Sequence, residues 1–285
     1  FITKEEDKLR QVRGFAQNEE KLQQIQIFSS LLNKNANDLT SGSIVFHTIL
    51  HSSLSDNRFL CNLLLEFYGK SVGSLLDAVS IFRSSLHKNV FTWNIFLALL
   101  VQHNAYTFAL QQFQQMMHEG ILSDKFTYST IIEACETLSE GVLTHARIIN
   151  TLSDSHVVVA TGLINMYSKH GLLVQAKLAF ERANTPDTIL WSVLIDAFAK
   201  HGFEKISVNL FMRMQREQRY ISPDSITLIS VLGACATFSA LTLGRVFHST
   251  IVNGGCDTDL SVGNALLNMY AKCGDVDDGL CVFKM

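Results

Sequence analysis

Two stretches decide how this chain reads: VVVATGLINMYSKHGLLVQAKLAF, from Val157 to Phe180, and LSVGNALLNMYAKCGDVDDGLCVF, from Leu260 to Phe283. They align without a gap, and Met269-Tyr270 follows Met166-Tyr167 by 103 residues. Ala134-Cys135 and Ala234-Cys235 stand 100 residues apart, and Trp93 and Trp191 stand 98 apart. Recurrence on this scale marks a repeat architecture, which changes the meaning of every other motif in the chain. Each large unit divides in three, at 90–124, 125–156 and 157–187, then at 188–224, 225–259 and 260–285, the last incomplete. Upstream, 25–57 and 58–89 fit as two more, and residues 1–24 read as a degenerate remnant. The chain starts at Phe1 with no leader and stops at Met285 in mid-pattern, so it reads as a fragment.

Inside each unit the pattern is helix, turn, helix. In 188–224, Trp191, Leu194, Ile195 and Phe198 recur at helical spacing, Lys200-His201-Gly202 interrupts, and Val208, Phe211, Met212 and Met214 resume. Gly171, Gly202 and Gly274 each occupy the fifteenth residue of a unit, where a helix end calls for a left-handed backbone. Pro186-Asp187 and Pro223-Asp224 close their units, with the Asp placed to start the next helix. A helix pair of this size cannot bury both of its apolar faces, so neighbouring pairs must stack. The expected fold is all-α, a right-handed α-solenoid of stacked helix-turn-helix repeats with a long groove.

Composition agrees. Of 285 residues, 47% are apolar and 17% charged, and only two are proline, which favours uninterrupted helices. The longest apolar run, Ile95 to Val101, falls far short of the ~18 residues of a membrane span, and the apolar content excludes a disordered chain. Six cysteines (Cys61, Cys135, Cys235, Cys256, Cys273 and Cys281) form no CxxC pair, so free thiols in a reducing compartment are expected.

The strings NVFTWN from Asn89, TILWSVLIDAFAKHG from Thr188, DSITLISVLGACATFSALTLGRVFHSTIVNGG from Asp224 and SVGNALLNMYAKCGDVDDGLCVF from Ser261 resemble plant pentatricopeptide repeat proteins. The alternation of unit types resembles the PLS subfamily: P-type at 90 and 188, L-type at 25, 125 and 225, S-type at 58, 157 and 260. Departures are visible. The unit at 125 is about three residues short, the unit at 188 carries about two extra around Gln215 to Tyr220, the unit at 58 has one extra near Gly73, and Ser123 stands where proline usually precedes the closing Asp.

The resemblance implies sequence-specific binding of single-stranded RNA, one base per repeat, read by the fifth and last residues of each unit. Those pairs are Asn62 with Asn89, Asn94 with Asp124, Thr161 with Asp187, and Ser192 with Asp224, implying pyrimidine, U, G and G. Asn264 lacks a partner within the chain and alone implies a pyrimidine. Ser129 with His156 and Ile229 with Asp259 read as poor readers, since Ile229 cannot hydrogen-bond. The RNA would run 5′ to 3′ along the protein as Y-U-N-G-G-N-Y. Second residues Phe91, Phe126, Val158, Ile189 and Ile226 would flank bases as apolar wedges, Ser261 being the departure. Lys70, Lys169, Lys200 and Lys272 recur at the thirteenth residue as a phosphate track. The resemblance further implies a mitochondrial or chloroplast location, a role in specifying a site for C-to-U RNA editing, and editing-complex proteins acting in trans. No cofactor, membrane or small-molecule substrate is expected.

Plainer readings compete. Asn or Asp before a helix is ordinarily an N-cap, second-residue apolars can be core, and the lysines can simply favour helix C-termini. His47 and His51 are four apart, but HTILH lacks the glutamate of HExxH, so a structural role is expected and no metal. His145 and His248 occupy corresponding positions in L-type units, which points to packing within the unit, while Cys135 and Cys235 suit a small slot between helices. No nucleophile elbow, phosphate loop or zinc-deaminase signature appears, so this stretch reads as non-catalytic, with any deaminase lying beyond Met285. A net charge of −3 and a pI near 6.4 speak against a generic nucleic-acid binder. The competing functions are a protein-binding α-solenoid of the tetratricopeptide kind, or an RNA stabilisation, splicing or translation factor without editing.

Overall fold

The last turn of the helix from Val157 and the first turn of the one from Leu173 meet across a single left-handed residue, and this joint recurs along the chain. In a computed structural model, residues 20–32, 39–50, 52, 54, 57–70, 75–151, 153–217 and 223–284 are described. Among them are sixteen helices and no strand. After α1 (20–32) come α2 (Leu39–Leu50), α3 (Arg58–Lys70), α4 (Leu75–Ser84), α5 (Val90–Gln102), α6 (Tyr106–His118) and α7 (Lys125–Ala134). Then follow α8 (Leu138–Asn150), α9 (Val157–Lys169), α10 (Leu173–Arg182), α11 (Thr188–Lys200), α12 (Glu204–Glu217), α13 (Ser225–Thr237), α14 (Leu241–Asn253), α15 (Leu260–Cys273) and α16 (Val276–Lys284). They fall into two units, Phe1–Ala134 and Cys135–Met285. Each is a run of stacked helical hairpins, the α-solenoid class.

Helix ends are set locally. Gly171, Gly202 and Gly274 have φ of 71°, 77° and 76°, the region a Cβ disfavours. Asn104 and Ser239 stand at the same place in their own units, with φ of 57° and 53°. In all five turns the N–H of the next residue bonds back to the carbonyl five residues before it: Leu172 to Tyr167, Phe203 to Phe198, Asp275 to Tyr270, Ala105 to Leu100 and Ala240 to Cys235, at 2.8–3.0 Å. α7 stops at Ala134, three residues earlier than its counterpart α13, and its short turn is rescued by a capping box in which Thr137 and Glu140 satisfy each other's backbone N–H. α1 already runs from residue 20, so position 25 lies inside a helix rather than at its start.

Within the first unit α3 packs on α5 and α5 on α7; within the second, α9, α11, α13 and α15 pack in succession, each paired with its own second helix. Trp93 is fully buried, with its ring 4.7 Å from that of Phe82 on the preceding hairpin, and Trp191 repeats this against Phe180 at 4.5 Å, both edge-on. Arg213 covers the second pair, 5.3 Å over Trp191, while its guanidinium bonds to Glu181 at 2.6 Å and to Glu217 at 2.7 Å.

His145 and His248 act differently from their expected packing inside one repeat. Nδ1 of each lies 2.7 and 2.8 Å from the hydroxyl of Tyr167 and Tyr270, which belong to the following hairpin. A tyrosine hydroxyl buried at a stacking face needs a polar partner, and the histidine of the neighbouring second helix is the group in reach. Burial, aided by Arg182, lowers the His145 pKa, so the ring is neutral at physiological pH. Cys135 is buried beside Thr144, its sulfur 3.5 Å from Oγ1.

Because Trp191 joins two hairpins, its loss should cost more than a surface change. Trp191→Ala is expected to lower stability by about 3–5 kcal/mol in urea unfolding followed by far-UV circular dichroism. A loss below about 1 kcal/mol would mean that the edge-on ring pair does not hold the stack.

Candidate nucleic-acid interface

The last residue before each first helix is an N-cap. Asn89 Oδ1 accepts from the Thr92 N–H, Asp187 from Leu190, Asp224 from Thr227, and Asp259 from Ser261 and Val262. Asp124 Oδ1 accepts from Phe126 at 3.0 Å and Thr127 at 2.9 Å. The capping reading of these side chains is therefore correct in geometry, and it fixes where the carboxylates point. One oxygen is held by the helix start, and the other is free to meet the preceding hairpin.

At two junctions the fifth residue of that hairpin meets it. Asn94 Nδ2 donates to both carboxylate oxygens of Asp124, at 3.0 and 3.1 Å. Ser192 Oγ lies 2.8 Å from Asp224 Oδ2 and 2.7 Å from the carbonyl of Thr188. A third group completes both clusters. Thr127 Oγ1 donates to Asn94 Oδ1 at 2.6 Å, and Thr227 Oγ1 is 2.6 Å from Ser192 Oγ and 2.6 Å from Asp224 Oδ1. Burial pushes the Asp124 carboxyl up, but the bonds from the Thr127 N–H, Asn94, the Thr127 hydroxyl and Phe126 outweigh it and hold the group below the usual carboxylate range. It is an ionised acceptor at neutral pH. Ser192 is only 3% exposed, so the accessible polar atoms of its pair are those of Asp224.

The remaining pairs are looser. Thr161 turns its hydroxyl back to the Val157 carbonyl at 2.8 Å rather than to Asp187. Asn62 Oδ1 is buried with no hydrogen-bond partner, while the Thr92 hydroxyl goes to Asn89 Oδ1 at 2.9 Å. In the pair formed by Ile229 and Asp259, the Asp259 carboxylate takes the hydroxyl of Ser225 at 2.6 Å, the strongest of the bonds that hold its pKa down. Ser129 is half-buried, His156 caps α9 without a side-chain bond, and Asn264 is exposed.

The second residues lie outside the core: Phe91, Phe126, Val158, Ile189 and Ile226 are 45–61% exposed, and Ser261 is exposed too. Phe59, second residue of its own unit and 55% exposed, belongs with them and was legible from the same count. Lys169, Lys200 and Lys272 are exposed, and the side chain of Lys70 lies outside the described residues, as does His51. Lys169 and Lys200 line one cleft of about 290 Å³, where Lys200 already pairs with Asp196 at 2.7 Å. The Asp196 carboxylate also accepts from Ser230 at 3.0 Å. Thr127 and Thr227 were missed in sequence, although Asp-x-Phe-Thr from Asp124 and Asp-x-Ile-Thr from Asp224 carry the signal.

Among the described residues no cluster of histidine, cysteine and carboxylate side chains is arranged to hold a metal. Burial, with Cys273 nearby, pushes the Cys235 thiol up to about 12, which removes it as a nucleophile at neutral pH.

Sequence models described as "PPR repeat family" and "PPR repeat" match residues 88–136, and residues 189–218 and 264–285. The chloroplastic pentatricopeptide repeat-containing protein CRR2 of Arabidopsis thaliana is 31% identical over 98% of this chain. The chain belongs to the pentatricopeptide repeat family. A mitochondrial member from the same plant is also 31% identical, over 85% of the chain. The chain spans less than half the length of these relatives, 43% and 38%. Its fold is that of the crystal structure of the maize pentatricopeptide repeat protein PPR10, with a TM-score of 0.65 over 86% of this chain and 36% of that one at 20% identity. PPR10 in complex with an 18-nucleotide psaJ RNA element gives 0.63.

The lowered pKa of Asp124 has a measurable sign. A depressed carboxylate stabilises the fold above its unfolded pKa, ordinarily 3.8, and that contribution is lost as pH falls through the lower folded value. Asp124→Asn keeps a competent cap but not the charge. In urea unfolding, the stability difference between wild type and Asp124→Asn should be constant from about pH 7 to 5 and shrink below about pH 4. A difference that grows on acidification would reverse the assignment.

Proposed function

We propose that this pentatricopeptide repeat chain binds single-stranded RNA sequence-specifically, one base per repeat, and in doing so specifies a site in an organellar transcript for C-to-U editing. The reading rests above all on one observation: the fifth residue of one hairpin and the last residue before the next form a single polar cluster, Asn94 with Asp124 and Ser192 with Asp224. Half-exposed apolar side chains beside these clusters, Phe91, Phe126, Ile189 and Ile226, suit contact with base faces. An ionised acceptor beside an amide or a hydroxyl discriminates base edges by where donors and acceptors fall.

The PLS alternation of repeat types supports the editing role, in which this stretch recognises RNA and a deaminase, in the same protein or in trans with editing-complex partners, performs the chemistry. Relatives designated chloroplastic and mitochondrial support an organellar location. With a net charge of −3, affinity comes from base contacts and from Lys169, Lys200 and Lys272 rather than from bulk charge. Lys200 must leave Asp196, or share it, to reach a phosphate.

The test is equilibrium binding to an RNA carrying Y-U-N-G-G-N-Y against a shuffled RNA of the same composition, across a salt series. The ordered RNA should bind tighter, and Asn94→Ser or Thr161→Asn should weaken or redirect that preference. Four phosphate contacts, from Lys70, Lys169, Lys200 and Lys272, correspond to a log-log salt slope of about −3, and Lys169→Gln should reduce its magnitude by about 0.7. Equal binding to both RNAs would instead favour a protein-binding scaffold.

A further inference from the structure

We propose that Thr127 and Thr227, the third residues of their hairpins, are specificity-positioning residues that fix the direction of the donor and acceptor atoms on the base-reading pairs Asn94/Asp124 and Ser192/Asp224. This rests on the base-reading function proposed above. It adds to the fifth and last residues a third side chain, contributed by the following helix and touching no base.

The hydrogen-bond inventory carries the argument. Asp124 is an ionised carboxylate and can only accept, so the edge of Asn94 facing it must be the amide NH2, as the distances of 3.0 and 3.1 Å require. Oδ1 of Asn94 then faces Thr127, whose single hydroxyl proton is the donor it meets at 2.6 Å. The backbone N–H of Asp124 donates to Thr127 Oγ1 at 3.1 Å, and the one hydroxyl proton lies between two acceptors, Asn94 Oδ1 at 2.6 Å and Asp124 Oδ1 at 3.0 Å, of which Asn94 is the nearer. The amide is thus held from both ends. A base edge meets one remaining N–H and one remaining lone pair in a fixed order.

The Ser192 cluster uses the same device with another outcome. Ser192 Oγ is surrounded by two pure acceptors, Asp224 Oδ2 and the Thr188 carbonyl, and has one proton of its own. Thr227 is the adjoining group that brings a second proton, at 2.6 Å from both Ser192 and Asp224. With both protons consumed inside the cluster, what is left to face a base is acceptor-only. Two clusters of similar layout therefore present different hydrogen-bond patterns, mixed at Asn94 and accepting at Asp224.

The other hairpins serve as internal comparisons. At four other hairpins the third residue is apolar and buried, as Leu60, Val159, Leu190 and Val262, and at one more it is the buried Thr92. It is a core position, and a hydroxyl buried there is costly unless it is hydrogen-bonded. Where Leu190 occupies it, Thr161 bonds its own backbone and not Asp187. Where Thr92 occupies it but the last residue is the amide Asn89, the hydroxyl goes to Asn89 and Asn62 Oδ1 is left without a partner. Coupling of the fifth residue to the last thus accompanies a third-residue threonine combined with an acidic last residue.

The experiment measures binding of wild type, Thr127→Val, Thr127→Ser, Thr227→Val and Thr227→Ser to four RNAs varied at the base facing Asn94/Asp124 and four varied at the base facing Ser192/Asp224. Valine is the natural residue at this register in two other hairpins, so the variants should fold, and melting curves check that they do. Thr127→Val should reduce base preference about tenfold at its own position and leave the Ser192 position unchanged, Thr227→Val the converse, and serine should restore both. A loss spread equally over both positions, or preference fully retained in both valine variants, would overturn the positioning role while leaving base reading intact. No preference in the wild type would overturn base reading itself.

Discussion

Between neighbouring hairpins, an indole on the first helix of one stands edge-on against a phenyl ring on the second helix of the one before. Trp93 on Phe82 and Trp191 on Phe180 are the largest side chains buried across such joints. A helical hairpin presents apolar surface on more sides than its own two helices can cover, and the remainder is buried only by the next hairpin. Every other feature depends on that. The first helices lie side by side within each unit, and their N-termini, with the residues that cap them, come to lie next to the preceding hairpin's first helix.

The junction residue then belongs to two hairpins at once. As an N-cap it satisfies backbone N–H groups that would otherwise lack partners, which holds its side chain in one orientation. That orientation brings a carboxylate oxygen to Asn94 in one case and to Ser192 in the other. A capping role and a recognition role are therefore not rivals at these positions. For the proposed base reading the cap would supply rigidity, because a side chain already immobilised loses less entropy on binding.

Much of this was legible in the sequence. The 103-residue recurrence of Met-Tyr, the apolar spacing and the turn glycines led to stacked helical hairpins, and the Pro-Asp pairs marked starts of helices that the structure contains. What escaped has a common cause. Asn104 and Ser239 take the left-handed turn conformation without the glycine that announces it. The histidines were read as packing inside a repeat, whereas Tyr167 and Tyr270 of the next hairpin are their partners. The Asp-x-x-Thr spacing places Thr127 and Thr227 beside their own caps, but it does not say that a side chain 33 or 35 residues earlier lies at 2.6 Å.

The chain's order of residues determined by itself what depends on neighbours a few positions away: helix lengths, turn positions, caps and the period at which they recur. These are set by backbone sterics and by short-range hydrogen bonds, which a local pattern records. Only the tertiary structure decided which polar atoms meet across hairpins, since that depends on the distance between helices packed through buried aromatic rings. It also decided that Lys200 is already paired with Asp196 and that Ser192 is buried while Asn264 is exposed. A side chain's type names the bonds it is able to make. Packing selects the partner.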